Sequence, residues 1–205
     1  MARQNGQEIN GLNARNRVLT AAMALFAENG YASTPVRSIA ERAGVTKPVL
    51  YYYFGSKDGL FRSLLEYAED LHARLLEDSL NAPGGARDRL ERLFVNSLNA
   101  MRENRELARL MFGLTCAPPQ GLPSVDGKEY ADRMHKTIKT IYRQGVANGE
   151  MVSDGDPDTV AFLIMTLLDY SCLWELTDPD AFPPDTALKM LDLVFKGIGA
   201  KGNES

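Results

Sequence analysis

The side chains best placed for chemistry in this 205-residue chain donate hydrogen bonds and carry positive charge, and they do not form an acid, base and nucleophile set. Tyr51 and Tyr52 stand between Lys47 and Lys57, with Ser33, Thr34 and Arg37 one short segment earlier. Phenols on stiff arms, hydroxyls and cations grouped in this way are what grips phosphate oxygens. Helix starts expected at Thr34, Thr46 and Ser56 add backbone amides that lack intrahelical partners and so attract anions. The chain has no G-x-S-x-G, no H-E-x-x-H and no phosphate-cradling glycine loop, and its two histidines, His72 and His135, are far apart. No catalytic constellation can be assembled from that set, so the expectation is a protein that is not an enzyme and uses no cofactor. Cys116 and Cys172 show neither C-x-x-C spacing nor companion histidines, which leaves no metal site and no disulfide framework. A thiol redox sensor on either cysteine is a competing reading, although nothing near them in sequence would lower a thiol pKa.

Charge is distributed unevenly. The whole chain carries a net −4. Residues 1–62 nevertheless hold Arg3, Arg15, Arg17, Arg37, Arg42, Lys47, Lys57 and Arg62 against only Glu8, Glu28, Glu41 and Asp58, so the front is cationic and the rest acidic. Such a split suits a protein whose one end meets a polyanion while the other does not.

The elements that must position these groups all read as helices, about nine of them, and no strand-like alternation of useful length occurs. Val18, Leu19, Ala22, Leu25 and Phe26 share a face of a first helix that Asn29-Gly30 ends. Thr34-Pro35 opens a second, carrying Val36, Ile39, Ala40 and Ala43, and Gly44 stops it. Thr46 opens a third from Lys47 to Tyr53, ended by Gly55, with Leu50, Tyr53 and Phe54 inward. Three successive tyrosines on so short a helix cannot all turn inward, so at least one offers an aromatic donor to the outside. Two short helices joined at Ala43-Gly44-Val45 have the spacing of a helix-turn-helix, with Ala40 and Gly44 expected to be small because the helices cross there. A long helix from Ser56 to about Leu80 follows, then helices marked by Leu90–Met101, Leu107–Leu114 and Tyr130–Tyr142. The last two run from about Pro157 to Leu176 and from Pro184 to Ile198, while Cys116–Val125 reads as a loop and Lys201–Ser205 as a frayed tail.

The passage Gly30–Phe61, GYASTPVRSIAERAGVTKPVLYYYFGSKDGLF, resembles the DNA-binding signature of the tetracycline-repressor-like (TetR) family, above all in L-Y-Y-Y-F-G-S-K. The resemblance implies an all-α protein in two parts, a helix-turn-helix DNA-binding domain at 1–55 and an effector-binding and dimerisation domain at 56–205. It implies that Tyr51, Tyr52 and Lys57 contact DNA and that Ser33, Thr34 and Arg37 hold the backbone beside the groove. Thr46, Lys47, Pro48 and Val49 then start the recognition helix, where side chains reach base edges in a major groove about 12 Å wide. Val49 departs from the small polar residue of many relatives and offers an apolar contact, such as one with a thymine methyl. Each single cation also has a plain reading as a solvated surface charge.

For the second part the resemblance concerns architecture alone. The last two long helices are expected to pair with their mates in a homodimer, which accounts for a Pro157–Leu176 helix that is apolar on nearly all sides; a buried core helix in a monomer is the alternative. A dimer presents two recognition helices to one double-stranded operator. A small-molecule effector is expected among Met101, Met111, Phe112, Met134, Tyr142, Met165 and Trp174, since such sites are mostly apolar and methionine adapts to ligand shape. For each of these, core packing is the competing role. His72 and His135 are candidate polar anchors. The front lacks an apolar leader and the longest apolar run, Val160–Leu168, falls short of the roughly 20 residues that cross a bilayer, so the expected location is the cytoplasm with no membrane partner.

Overall fold

The computed structural model describes residues 2–116, 127–178, 180 and 185–198, with side chains for 13–114, 128–178, 180 and 185–197. Residues 117–125 of the expected loop, the Cys116 side chain, the Pro183-Pro184 helix start and the tail from Lys201 lie outside them, while the Cys116 backbone, expected to open that loop, closes a helix instead. Among the described residues there are nine helices and no strand: α1 (Ala2–Asn29), α2 (Val36–Ala43), α3 (Lys47–Phe54), α4 (Lys57–Leu80), α5 (Ala86–Glu103), α6 (Arg105–Cys116), α7 (Gly127–Ala147), α8 (Pro157–Thr177) and α9 (Thr186–Ile198).

The chain divides into two compact units, and the division does not fall at residue 55. The first unit runs up to Asp70 and takes in α6 from Glu106 onward; the second holds Leu71–Arg105 and the chain from α7 on. The apolar set chosen from the sequence explains the first unit. Val18, Ala22 and Phe26 of α1, Ile39, Ala40 and Ala43 of α2, Leu50 and Phe54 of α3, and Leu60, Phe61, Leu64 and Leu65 of α4 form one buried cluster. Leu110 of α6 joins it, with Met111 and Leu114 packed alongside. Phe26, Tyr31 and Phe61 meet edge-on or tilted with centroids 4.8–5.7 Å apart, within the range aromatic pairs prefer.

In the second unit α8 packs on α5, α7 and α9, and α5 also touches α7 and α9. Asp156 caps α8 by accepting from the Thr159 amide at 2.9 Å. Arg102 of α5 holds Glu175 of α8 through a two-pronged pair at 2.9 and 2.8 Å, and Lys139 of α7 bonds both Asp158 oxygens at 2.6 and 2.7 Å. The apolar run at Val160–Leu168 is short, but the helix carrying it is not. At 21 residues, α8 is long and apolar enough to cross a membrane by length and composition. Its inward face is nonetheless committed to the unit's core through Val160, Ala161, Ile164, Leu168 and Cys172.

Candidate nucleic-acid interface

The turn between α2 and α3 is built on backbone hydrogen bonds. Gly44 closes α2 at φ 63°, its amide donating to Ala40 and Glu41, and the Val45 amide donates to the Ala40 carbonyl at 3.0 Å. Glycine is needed there for that left-handed conformation. Ala40 is buried, but the crowding expected at Gly44 is absent, since a Cβ there would meet nothing within 4 Å. Close approach falls instead on Gly59, in the first turn of α4, where a Cβ would stand 2.0 Å from the Phe54 carbonyl oxygen. The end of α3 is thereby pressed against the start of α4. Nothing in the sequence marked Gly59, since a glycine inside a helix usually signals weakness.

With Leu50 and Phe54 buried, α3 is pinned on one side and its other side faces outward. Tyr52 is 82% exposed and Tyr51 is also exposed, whereas Tyr53 packs against the core cluster. Lys47 and Pro48 in the first turn are exposed, Val49 is half-buried, and Thr46 occupies the N-cap without spending its hydroxyl on the helix. The first-turn amides of α3 are thus left for an anion. Ser33 is exposed just ahead of α2. Arg37 is exposed but paired to Glu41 at 2.6 Å, which raises the guanidinium pKa.

Two residues of the expected set behave differently. Thr34 is only 1% exposed, and its hydroxyl donates inward to the carbonyls of Leu25 at 3.1 Å and Gly30 at 2.8 Å. Its amide is spent on Tyr31, and the N-cap position of α2 belongs to Pro35. Thr34 therefore fastens α1 to α2 and has no hydroxyl to give a phosphate. Lys57 is half-buried: its ammonium lies 4.3 Å from the centre of the Tyr31 ring and 3.5 Å from the Ala32 carbonyl. Burial lowers its pKa, partly offset by Asp58. The Tyr31 hydroxyl in turn bonds Asp58, and burial with that bond pushes the phenol up to about 12. Tyr31 and Asp58 thus form a seat for Lys57 that its sequence position did not reveal. Two further cations brace the head: Arg17 donates to the Ala43 carbonyl at 3.0 Å, and Arg15 lies over the Phe54 ring at 5.4 Å.

The residues expected around an effector are scattered across the two units. Met111 and Phe112 belong to the first, with Met111 against the head core. Met101, Met134, Tyr142, Met165 and Trp174 belong to the second. Tyr142 is fully buried, and its hydroxyl donates to the Val152 carbonyl at 2.7 Å, so it is a structural strut. Met134 is buried, while Met101, Met165 and Trp174 are half-buried. His135 lies against the Phe162 ring and 3.5 Å from an Asp158 oxygen, whereas His72 is buried and stacked on Tyr130. The Cys172 thiol is pushed up to about 12 by burial, with Asp169 and Glu175 adding to it, which is the reverse of a redox-active thiolate. No group of residues suited to a metal ion occurs among the described residues.

Residues 18–64 match the sequence profile described as bacterial regulatory proteins, tetR family, and residues 83–198 match that of the tetracyclin repressor-like C-terminal domain. The chain is 27% identical over 203 residues to the uncharacterized HTH-type transcriptional regulator YdgC of Bacillus subtilis, covering 95% of this chain and 97% of that one. It is 28% identical over 193 residues to the HTH-type transcriptional repressor KstR2 of Mycobacterium tuberculosis, covering 92% and 94%. The solved SmeT–triclosan complex superposes with a TM-score of 0.74 at 18% identity, over 92% of this chain and 93% of that one.

Proposed function

The chain belongs to the tetR family of bacterial regulatory proteins, DNA-binding regulators of transcription, and from that premise we propose that it represses its target genes as a cytoplasmic homodimer on a palindromic operator until a small, largely apolar effector releases it. The observation that carries the DNA half is α3 itself. One side of it is buried, and the other offers Thr46, Lys47, Pro48, Tyr51 and Tyr52. Ser33, Arg37 and Val49 flank that surface. Lys57 joins it by leaving the Tyr31 ring for a phosphate, and Arg37 does so by sharing or releasing Glu41. DNA binding is assigned to residues 1–55 together with Lys57 at the start of α4, and effector binding and dimerisation to the rest of 56–205. α4, which buries Leu64 and Leu65 in the head core and runs on to Leu80 in the second unit, carries the signal between the two functions.

The dimer is supported by what α8 and α9 leave uncovered. Phe162, Leu163 and Tyr170 of α8 and Leu193 of α9 are all exposed in the single chain. Large apolar side chains grouped on two helices mark a surface that another protein covers. A second copy, pairing the same helices across a two-fold axis, also supplies the two recognition helices that half-sites about 34–36 Å apart require.

KstR2 is a repressor by name and SmeT was solved with triclosan, and both support the proposed direction and the effector. An effector bound in the second unit pushes the lower end of α4 and so changes the spacing of the heads. Reciprocity then requires operator DNA to weaken effector binding by the same factor. Genome-wide mapping of bound fragments tests the proposal. Enrichment of a few promoter sites with inverted repeats supports it, and uniform recovery across the chromosome would sink it.

A further inference from the structure

Among the described residues, two buried side-chain polar atoms lack a hydrogen-bond partner: His72 Nε2 and Ser97 Oγ. Buried polar atoms are nearly always paired, so an orphan calls for a reason. His72 is 7% exposed, and its ring stacks on Tyr130, from the first turn of α7, with centroids 3.7 Å apart and planes 23° from parallel. Burial, helped by the Arg133 charge, brings its pKa down to about 4, so the imidazole is neutral near pH 7. Tyr130 is itself 41% exposed, so the ring that stacks on the imidazole keeps open surface of its own. Burial also raises the carboxyl of Asp169 on α8.

We propose that His72 and Tyr130 anchor the effector, and that the effector is an uncharged, flat ring compound bearing a hydroxyl group. This rests on the reading of the chain as an effector-released regulator. The ligand ring lies on the open face of Tyr130, and its hydroxyl bonds His72 Nε2 after a small swing of the Tyr130 side chain. A hydroxyl both donates and accepts, so it satisfies either imidazole tautomer. Charge is disfavoured in both signs: a carboxylate would meet Asp169 and a cation would meet Arg133, in a setting that already penalises ions.

Calorimetric titration of the full chain with 2-naphthol, naphthalene and 2-naphthoate tests this. The expected order is 2-naphthol tighter than naphthalene by about tenfold, the worth of one neutral hydrogen bond, with 2-naphthoate weakest. His72→Phe keeps the stack and removes the orphan, so the two neutral probes come within about twofold. His72→Gln retains a preference for the hydroxyl, and Tyr130→Leu weakens both neutral probes alike. Absence of 2-naphthol binding, equal affinity for the neutral pair in the natural chain, or a preference surviving in His72→Phe would each overturn the proposal. Should His72→Phe fail to fold, the ranking on the natural chain decides alone. Duplex binding by the same preparations without probe separates the two claims. If it stands while hydroxyl preference is absent, only the anchor falls; if duplex binding itself is absent, the regulator reading falls and the anchor with it.

Discussion

Replacing Lys57 by alanine probes the step at which the head engages DNA. In the free chain the ammonium rests on Tyr31 and the Ala32 carbonyl with its pKa lowered by burial. If it moves to a phosphate on binding, each chain releases about 0.9 of a counterion there, so a dimer losing both lysines has a salt slope shallower by about 1.8. Between 50 and 200 mM salt, a fourfold change, natural and variant proteins should therefore diverge by roughly twelvefold in affinity. Fluorescence anisotropy on a labelled duplex carrying a mapped site measures both slopes. Lys57→Ala should weaken cognate and random duplexes alike, and Lys57→Arg should keep the slope. An unchanged slope in Lys57→Ala would show that the lysine stays on its aromatic seat, and a change of only about 0.9 would mean that one head alone engages.

Lys47→Ala, at the exposed first turn of α3, should relax the preference at one base step, read by comparing affinities for single-base variants of a mapped site; uniform loss would reassign Lys47 to the backbone. Gly59→Ala places a Cβ 2.0 Å from the Phe54 carbonyl oxygen and should cost about 1–3 kcal/mol in urea unfolding, with weaker DNA binding as α3 is pushed off its seat; native stability would refute the close approach. Leu193→Glu introduces a charge where a 67%-exposed leucine is proposed to be covered, and sedimentation should then find single chains; an unaltered dimer would move the interface elsewhere. The His72 pKa is depressed to about 4 from an ordinary value near 6.5, so the stability tied to its neutral form is present above pH 6.5 and is lost as pH falls toward 4. That loss amounts to about 3 kcal/mol at most, and His72→Phe should flatten it in urea midpoints taken from pH 7.5 to 4.5; parallel curves would show that other groups govern the acid limb.

Helix boundaries were legible because period and punctuation agreed. The apolar rows of α1 to α3 end at Gly30, Gly44 and Gly55, and each of these glycines adopts positive φ. The outward face of α3 was legible by counting, since three tyrosines on two turns cannot share one inward side. What escaped is whatever depends on contacts distant in sequence. Thr34 reads as a cap beside a proline, but its hydroxyl reaches back to Leu25 and Gly30. Lys57 reads as a surface cation, and only the fold brings the Tyr31 ring beneath it. The place of α6 in the head core was hidden for the same reason, because Leu110 is far along the chain from the residues it joins. In the second unit, apolar composition alone could not distinguish a packed strut such as Tyr142 from a residue free to meet a ligand.

Two copies of α3, held by paired chains, are proposed to read one duplex. Repeated selection from a random double-stranded library at about 0.1 M salt, followed by sizing of the complex, decides whether they do. The expected result is recovery of an inverted repeat whose half-sites lie about one or two helical turns apart, bound by an even number of chains. Recovery of no preferred sequence, or of a lone half-site bound by one chain, would contradict it.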